Sequence, residues 1–365
     1  MRYLLLFCIF YIMRAFQLNS KVLKSTLVMK SPSLWDVLSI NLKESARSWF
    51  IQRAERSGVD WNALTEKYSK DIDSLNFLYQ IKTNSSMVYP KYYTRPFHGY
   101  DDGNLNWLAA LEGEAATLSM AVNYWKNTDP VTTEQWLRNN ISKNIESYMN
   151  ATSTKVPENI LDVGCSVGIS TEYLYKHFNK CKTINGLDLS PYFVALATYR
   201  AKEEKLPITY YHQNAEYPNI KNKYDLIVCN FILHEVPREP TKQIIKEMYK
   251  LLNENGVLAI VDLDPTKVKN NLVVNTFRKW AFEVTEPHIY EYYQTNMNEL
   301  LVDEGYTHVK NISNDPINTI WLGKKVTGEL INNVTSKSYL ESKKISMDNN
   351  FFFLPSNKRK LISPM

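Results

Sequence analysis

Two glycines just after a short apolar segment predict a tight turn with free space beside the main chain. The stretch LDVGCSVGIS, residues 161–170, contains Gly164 and Gly168 with Ser166 between them. As G-x-S-x-G, it would be the strand-to-helix elbow that exposes the nucleophilic serine of a hydrolase. As D-x-G-x-x-x-G, its glycines would let the main chain approach a nucleoside cofactor where a Cβ would collide. The flanking sequence decides between these two chemistries.

The hydrolase interpretation fails on those flanks. An elbow serine normally follows several strands and needs an oxyanion loop of the HGGG type. Here residue 161 opens the first predicted strand, and no such loop precedes it. The nicotinamide fingerprint G-x-G-x-x-G fails as well, because Ser166 and Ile169 stand where it requires glycines.

An acidic residue at the end of the second predicted strand favours the cofactor interpretation. Asp188 in GLDLS is placed to reach the two hydroxyls of a ribose, as the equivalent acid does in dinucleotide-binding folds. Metal-binding spacings such as C-x-x-C are absent from the sequence, and His234-Glu235 is not H-E-x-x-H because Arg238 occupies the second histidine position. We therefore expect a nucleoside-containing cofactor and no metal.

Alternating strands and helices from residue 159 onward would position these residues. We predict strands at NILDVG, TINGLDLS, ITYYHQNA, YDLIVCNFIL and GVLAIVDLD, with HVKNISN and TIWLGKK as a closing antiparallel pair. The helix TKQIIKEMYKLLNEN is expected to end at Gly256 as its C′ residue. Uninterrupted apolar strands between helices indicate an α/β fold, a Rossmann-like seven-stranded mainly parallel sheet with helices on both faces.

Five motifs in register resemble a class I S-adenosylmethionine-dependent methyltransferase. They run in order between residues 160 and 323: DVGCSVG, GLDLSP, QNAE, YDLIVCNFILHEVP and LLNENGVLAIVDLDP. More narrowly, LDVGCSVGISTEYL, GLDLSPYFVALA, LHEVP and TEPHIYEYY are similar to a UbiE-like (methyltransferase type 11) group found in cyanobacteria and plastids. The resemblance implies S-adenosylmethionine as cofactor and methyl transfer as the reaction.

The resemblance also implies a role for each cofactor-side position. Gly164, Cys165 and Gly168 would line the methionine part, Asp162 would favour its ammonium, and Asp188 would bind the ribose. Leu189 would pack on the adenine, Asn214 and Ala215 lie where the family contacts the adenine amino group and ring, and Asn230 would border the sulfonium and the acceptor. The predicted cofactor-binding residues are Asp162, Gly164, Cys165, Gly168, Asp188, Leu189, Asn214, Ala215 and Asn230. An ordinary tight turn at the glycines and a loop cap at Asn214 remain the alternatives.

The acceptor is less well specified. Strand four ends in CNFILHEV and not in N-P-P-Y, and neither a Pro-Cys nucleophile nor a double-glutamate hairpin is present. We therefore expect O- or C-methylation of a small molecule, quinone- or phenol-like. His234 lies where some plant O-methyltransferases place a general base, and an ordinary pKa of about 6.5 would suit that role. A structural role for His234, a non-catalytic S-adenosylmethionine-binding scaffold, and an RNA or protein methyltransferase stay open.

Residues 35–155 precede this domain and show helical spacing of apolar residues. Within them, YPKYYTRPFHGYDDGNLNW is rich in aromatic residues. It is a candidate lid over the acceptor pocket, with simple packing of an added helical region as the alternative. The residues in question are Tyr92, Tyr93, His98 and Tyr100. The TEPHIYEYY segment is the second candidate acceptor wall.

The two ends differ in composition from the predicted methyltransferase domain, 156–325. Residues 3–13 are apolar, as in a signal peptide, and residues 14–34 are basic, hydroxyl-rich and free of acids, as in a transit peptide. We expect plastid targeting of the apicoplast type by a leader at 1–34, with a secretory signal or a membrane anchor as alternatives. Residues 326–365 read as a flexible tail. The net charge of +5 sits largely at the two ends, so we expect no nucleic-acid partner and, in the mature form, no stable membrane span.

Overall fold

The computed structural model describes residues 47–96, 100–122, 124–125, 128–272 and 286–327. Contacts divide the chain into two units, Met1–Glu44 and Ser45–Met365. All described residues belong to the second unit. The predicted leader, nearly all of the predicted tail, and His98 lie outside the described residues, so plastid targeting stays a prediction. Within the described residues, no helix is long and apolar enough to cross a membrane.

Seven strands of the described residues form one sheet. They are β1 (Asn159–Val163), β2 (Thr183–Asp188), β3 (Ile208–His212), β4 (Tyr224–Asn230), β5 (Leu252–Leu263), β6 (Thr307–Ser313) and β7 (Asn318–Lys324). Their order is β3-β2-β1-β4-β5-β7-β6. Strand β7 is antiparallel to both β5 and β6, whereas the other adjacent pairs are parallel. The predicted fold class is confirmed, including the closing antiparallel pair.

Helices cover the sheet and form the predicted N-terminal extension. They are α1 (47–56), α2 (Trp61–Ser69), α3 (Ile72–Lys82), α4 (Trp107–Leu111), α5 (Gly113–Ala121), α6 (Pro130–Ala151), α7 (Ile169–His177), α8 (Pro191–Glu203), α9 (Arg238–Leu251), α10 (Ile289–Tyr293) and α11 (Met297–Asp303). Shorter helical turns span Leu233–Glu235, Pro265–Lys267 and Val268–Leu272. At the start of α8, Ser190 accepts a hydrogen bond from the Phe193 amide and Pro191 takes the first helical position, which satisfies and orients the first turn.

The predicted end of α9 at Gly256 is wrong. The helix ends at Leu251, and Leu252 already pairs with Tyr224 of β4. Leu252 is 1% exposed, so its burial and strand pairing outweigh continuation of the helix. The left-handed residue is Asn255, with a φ of 65°, and Gly256 lies inside β5.

A buried charge network fixes the N-terminal extension to the sheet domain. The Arg200 guanidinium on α8 donates to Glu114 of α5 at 2.8 Å and to Glu172 of α7 at 3.1 Å. It also bonds to the Tyr68 hydroxyl of α2. Arg200 thus joins α2 and α5 of the extension to α7 and α8 of the sheet domain.

Candidate functional site

The turn after β1 has a conformation that requires glycine at two positions. Gly164 and Gly168 have φ angles of 69° and 89°, in the left-handed region. A Cβ on Gly164 would lie 2.3 Å from Cγ2 of Ile232, and one on Gly168 would lie 2.5 Å from the Tyr210 hydroxyl. The Gly164 amide donates to the Leu187 carbonyl at 2.8 Å, which ties the turn to the end of β2. The turn is therefore a main-chain cradle between β1, β2 and the segment after β4.

Asp188 points its carboxylate into this cradle. Its Oδ2 accepts the Ser166 amide at 2.9 Å, and its Oδ1 accepts the Ser190 amide at 2.8 Å. Burial raises the pKa of Asp188 and these amide hydrogen bonds lower it, for a net value of about 6. The group is thus an oriented carboxylate at neutral pH, and its oxygens retain lone pairs for further donors.

A cleft of about 820 Å³, counting space open to solvent, lies over the carboxyl ends of the strands. The cleft lies where the strand order reverses between β1 and β4, which is where open α/β sheets bind their ligands. The structure brings five predicted residues together in its wall: Gly164, Asp188, Leu189, Asn214 and Ala215. Asn214 also caps its own loop, since its Oδ1 accepts the Glu216 amide at 2.9 Å.

The remaining predicted residues lie behind that wall. Asp162 is fully buried and accepts hydrogen bonds from Ser170, from Thr171 at 2.7 Å and from the Asn230 amide at 3.4 Å. Burial raises the pKa of Asp162 against these hydrogen bonds. Asp162 would therefore affect the cofactor ammonium through Asn230 and the glycine turn after β1. This role of Asp162 stays a prediction.

Cys165 contributes main chain only. Its side chain is 1% exposed and packs in a cluster that includes Val194 and Tyr210. Burial raises the pKa of the thiol well above its usual value, so it is a neutral packing group. Gly168 allows close packing, because Tyr210 occupies the volume that a side chain at this position would need.

Three buried polar atoms near Asp162 have no hydrogen-bond partner among the described residues. They are Oδ1 of Asn230, Nη1 of Arg138 and Oε2 of Glu134. Arg138 on α6 donates from Nε to Glu134 at 2.6 Å, and its guanidinium lies 5.3 Å from the centre of the Phe231 ring. Unpaired buried polar atoms are costly unless a ligand satisfies them. An amino-acid group, with one ammonium and one carboxylate, has the chemistry to do so.

Sequence reasoning missed Glu134 and Arg138. The available signal was weak: both fall on the same helical face as Leu137 and Ile141, so two charges interrupt an apolar stripe. The position of this ion pair beside Phe231 depends on the packing of α6 against the segment that follows β4, which the sequence does not show.

His234 forms a buried pair with an aspartate of β5. Its Nδ1 lies 2.6 Å from Oδ1 of Asp262, and its Nε2 lies 4.0 Å from carboxylate oxygens of Glu235 and Glu286. Burial lowers the pKa of His234, but the neighbouring carboxylates outweigh it and raise the pKa to about 10. His234 does not line the cleft, although Glu235 and Val236 next to it do.

Two residues of the candidate lid line the cleft, and its role as a lid stays a prediction. Tyr92 and Tyr93 share the cleft wall with Asp188 and Leu189, whereas Tyr100 does not line the cleft and donates to Glu112. From the TEPHIYEYY segment, Pro287 and His288 line the cleft, and the His288 ring meets the Tyr92 ring edge-on at 6.0 Å. Both predicted walls therefore contribute to one cleft. In the described part of the chain, no group of three or more His, Cys, Asp or Glu side chains is placed to hold a metal ion.

Residues 160–256 match the family model of a methyltransferase domain. The chain is 31% identical over 137 residues to the ubiquinone biosynthesis O-methyltransferase of Pelagibacter ubique, covering 36% of this chain and 52% of that protein. The enzyme of the same name from Coxiella burnetii is 30% identical over 112 residues, covering 30% and 46%. The chain thus spans about half the length of these relatives. The demethylmenaquinone methyltransferase of Listeria welshimeri is 24% identical over 173 residues, covering 42% and 72%.

Two solved methyltransferase structures are among those to which the chain is similar. N-methyltransferase NodS from Bradyrhizobium japonicum, in complex with S-adenosyl-L-homocysteine, is 19% identical, covering 57% of this chain and 98% of that one, with a TM-score of 0.37. Magnesium protoporphyrin IX methyltransferase (ChlM) from Synechocystis, with bound cofactor, is 16% identical, covering 54% and 83%, with a TM-score of 0.36.

Proposed function

We propose that the whole chain is an enzyme that methylates a small molecule. The premise is that residues 160–256 are a class I S-adenosylmethionine-dependent methyltransferase domain. The cofactor of such domains is S-adenosylmethionine. One observation carries the proposal: the cradle at Gly164 and the oriented carboxylate of Asp188 line one cleft, and the unpaired Asn230 oxygen lies behind its wall, at the end of the neighbouring strand β4. These groups suit the ribose and the amino-acid end of one ligand.

The residues of this chain fit that cofactor at both ends. Asp188 would accept the ribose hydroxyls, and Leu189 and Ala215 would contact the adenine. At the other end, the Asn230 oxygen would accept the ammonium, and the unpaired Arg138 nitrogen would donate to the carboxylate. When bound, S-adenosylmethionine supplies an electrophilic methyl group on a sulfonium. The protein then has to hold the acceptor in line with that methyl and exclude water.

The cleft wall favours an apolar acceptor with a flat ring. Val236, Ile244 and Pro287 add apolar surface to the wall of the cleft. We propose a quinone- or phenol-like acceptor that is methylated on oxygen or carbon. The names of the relatives from Pelagibacter and Listeria support this acceptor class, and placement in the UbiE-like plastid group is part of the same proposal.

His234 is proposed as the base that receives the acceptor's proton. Its ring does not line the cleft, so the proton would have to pass by way of Glu235, which lines the cleft and lies 4.0 Å from Nε2. With its pKa near 10, only a small neutral fraction is present at pH 7, and that fraction grows about tenfold per pH unit up to the pKa. We expect turnover to rise with this slope between pH 7 and 9, and His234→Gln to lose both the slope and most of the turnover. The measurement is a pH–rate profile at saturating cofactor.

The control for this prediction is His177→Gln, which alters a histidine that pairs with Glu146 and does not line the cleft. Unfolding is followed in parallel. The raised pKa of His234 stabilises the fold fully below its unfolded value of about 6.5, and this contribution is lost as the pH rises through 10. Full turnover of His234→Gln with normal cofactor binding would assign His234 a structural role only.

Two measurements test the proposed function. Calorimetry with S-adenosylmethionine and S-adenosylhomocysteine tests binding, and transfer of a labelled methyl group to a panel of hydroquinones, phenols and amines tests turnover. Binding with no transfer to any fraction of a cell extract would favour a non-catalytic scaffold. Transfer to RNA or protein fractions alone would contradict a small-molecule acceptor.

A further inference from the structure

Residues 89–93, which follow α3, lie along the side of the cleft that holds Asp188 and Leu189 and are anchored there. We call residues 89–93 the tyrosine latch, because Tyr89, Tyr92 and Tyr93 make its contacts. The Tyr92 hydroxyl donates to Oε1 of Glu216 at 2.7 Å. The Tyr89 hydroxyl lies 3.2 Å from Nε2 of His212. These two anchors flank the loop 213–215, which carries the predicted adenine contacts.

His212 links the latch to the cofactor cradle. Its Nδ1 accepts the Asn84 amide at 2.9 Å, so the neutral ring carries its proton on Nε2. That Nε2 also lies 3.0 Å from the carbonyl oxygen of Leu189, the predicted adenine contact. The buried His212 imidazole thus links Asn84, which precedes the tyrosine latch, to Leu189, which follows β2.

Tyr93 lies at the ribose end of this arrangement. Its ring stacks on Tyr89 with centroids 6.2 Å apart and planes 7° from parallel. Burial raises the pKa of Tyr93 well above its usual value, with the charge of Asp188 adding to the effect and a hydrogen bond with Asn104 opposing it. The phenol is therefore neutral, and Tyr93 lines the same cleft as the carboxylate proposed to bind ribose.

Asn104 connects this position to the turn that orients Asp188. Its carbonyl oxygen accepts the Ser190 hydroxyl at 2.7 Å, and the Ser190 amide binds Asp188. Tyr93, Asn104 and Asp188 all line the same cleft. The N-terminal extension thus supplies part of the wall of the cleft beside Asp188. Its residues Tyr93 and Asn104 lie outside the matched domain at 160–256.

We propose that Tyr93 is a cofactor-binding residue: its ring closes the adenosine chamber, its hydroxyl contacts the ribose beside Asp188, and the tyrosine latch has to open before cofactor or product can exchange. The inference rests on the proposed function for the identity of the ligand. It adds a donor-side role for the extension, which sequence reasoning assigned to the acceptor side.

The test is binding of S-adenosylhomocysteine to the full chain by calorimetry, with dissociation rates from stopped-flow fluorescence. Loss of an aromatic contact to a base costs about 1–3 kcal/mol, so Tyr93→Ala is expected to weaken binding by about tenfold or more. Tyr93→Phe removes only the hydroxyl and is expected to weaken it a few-fold. Tyr92→Phe removes one anchor and is expected to speed dissociation.

Tyr217→Ala is the matched control, since Tyr217 is 69% exposed and does not line the cleft. Unchanged or tighter binding by Tyr93→Ala, with the wild type binding normally, would overturn the proposal. If Tyr93→Ala fails to fold, Tyr93→Phe and Tyr93→Leu decide by the same criterion. A wild-type chain that ignores S-adenosylhomocysteine would instead contradict the proposed function.

Discussion

Replacing Asp188 with alanine is expected to weaken the affinity for S-adenosylmethionine by about a hundredfold or more. The carboxylate is held by the Ser166 and Ser190 amides and faces the cleft. Hydrogen bonds to a charged group contribute about 1.5–3 kcal/mol each. Two lost bonds to a ribose diol therefore correspond to at least two orders of magnitude. Calorimetric titration of the wild type and the variant measures the difference.

The same carboxylate predicts how affinity changes with pH. The pKa of Asp188 is raised to about 6, and ribose hydroxyls donate best to the ionised form. Affinity is therefore expected to be constant above this pH and to fall by up to tenfold per pH unit below it. Asp188→Asn should bind weakly at every pH and lose this dependence.

The control for both measurements is Asp71→Asn, an exposed aspartate that accepts a hydrogen bond from Tyr199 and does not line the cleft. If Asp188→Ala kept wild-type affinity and unchanged thermal unfolding, the carboxylate of Asp188 would not contact the cofactor. That result would also contradict the assignment of this cleft to an adenosyl cofactor.

Replacing Gly164 with alanine is expected to abolish measurable donor binding and to destabilise the fold. A non-glycine residue at a φ of 69° costs about 1–2 kcal/mol, and the new Cβ would lie 2.3 Å from Cγ2 of Ile232. Both residues line the cleft, so relief of the clash must move the turn or push Ile232 into the ligand's space. Calorimetry and thermal unfolding measure the two effects.

Gly305→Ala separates backbone strain from the clash. Gly305 has a φ of 92°, but the nearest atoms to its added Cβ are 3.6 Å away, on Tyr249. This variant should lose a similar amount of stability from strain and keep wild-type affinity. Equal losses of binding in both variants would mean that Gly164 acts through stability and not through the shape of the cleft.

Local patterns were sufficient for the central sheet and for its cofactor edge. Uninterrupted apolar runs predicted the strands because a parallel sheet is buried on both faces. The spacing of Gly164, Gly168 and Asp188 predicted a cradle and a carboxylate because strand ends of a parallel sheet share one edge. These features depend on residues close in the chain, so sequence reasoning could reach them.

Where chain segments far apart compete, local patterns failed. The end of α9 was misplaced because pairing of Leu252 with Tyr224 lies outside the helix's own sequence. Asn214 caps its own loop, as the alternative predicted, and also lines the cleft, while its contact with the adenine stays a prediction. Cys165 and Asp162 lie in the motif as predicted, yet their side chains are buried behind it.

The sequence by itself determined the fold class, the glycine turn and the acid at the end of β2, since each follows from backbone space and apolar periodicity over a few residues. Only the tertiary structure decided that Arg138 lies beside Phe231, that Asp262 pairs with His234, and that Tyr93 lines the same cleft as Asp188. The physical reason is burial: hydrogen bonds and charges between distant segments gain their strength from a low-dielectric interior that exists only after the chain has packed.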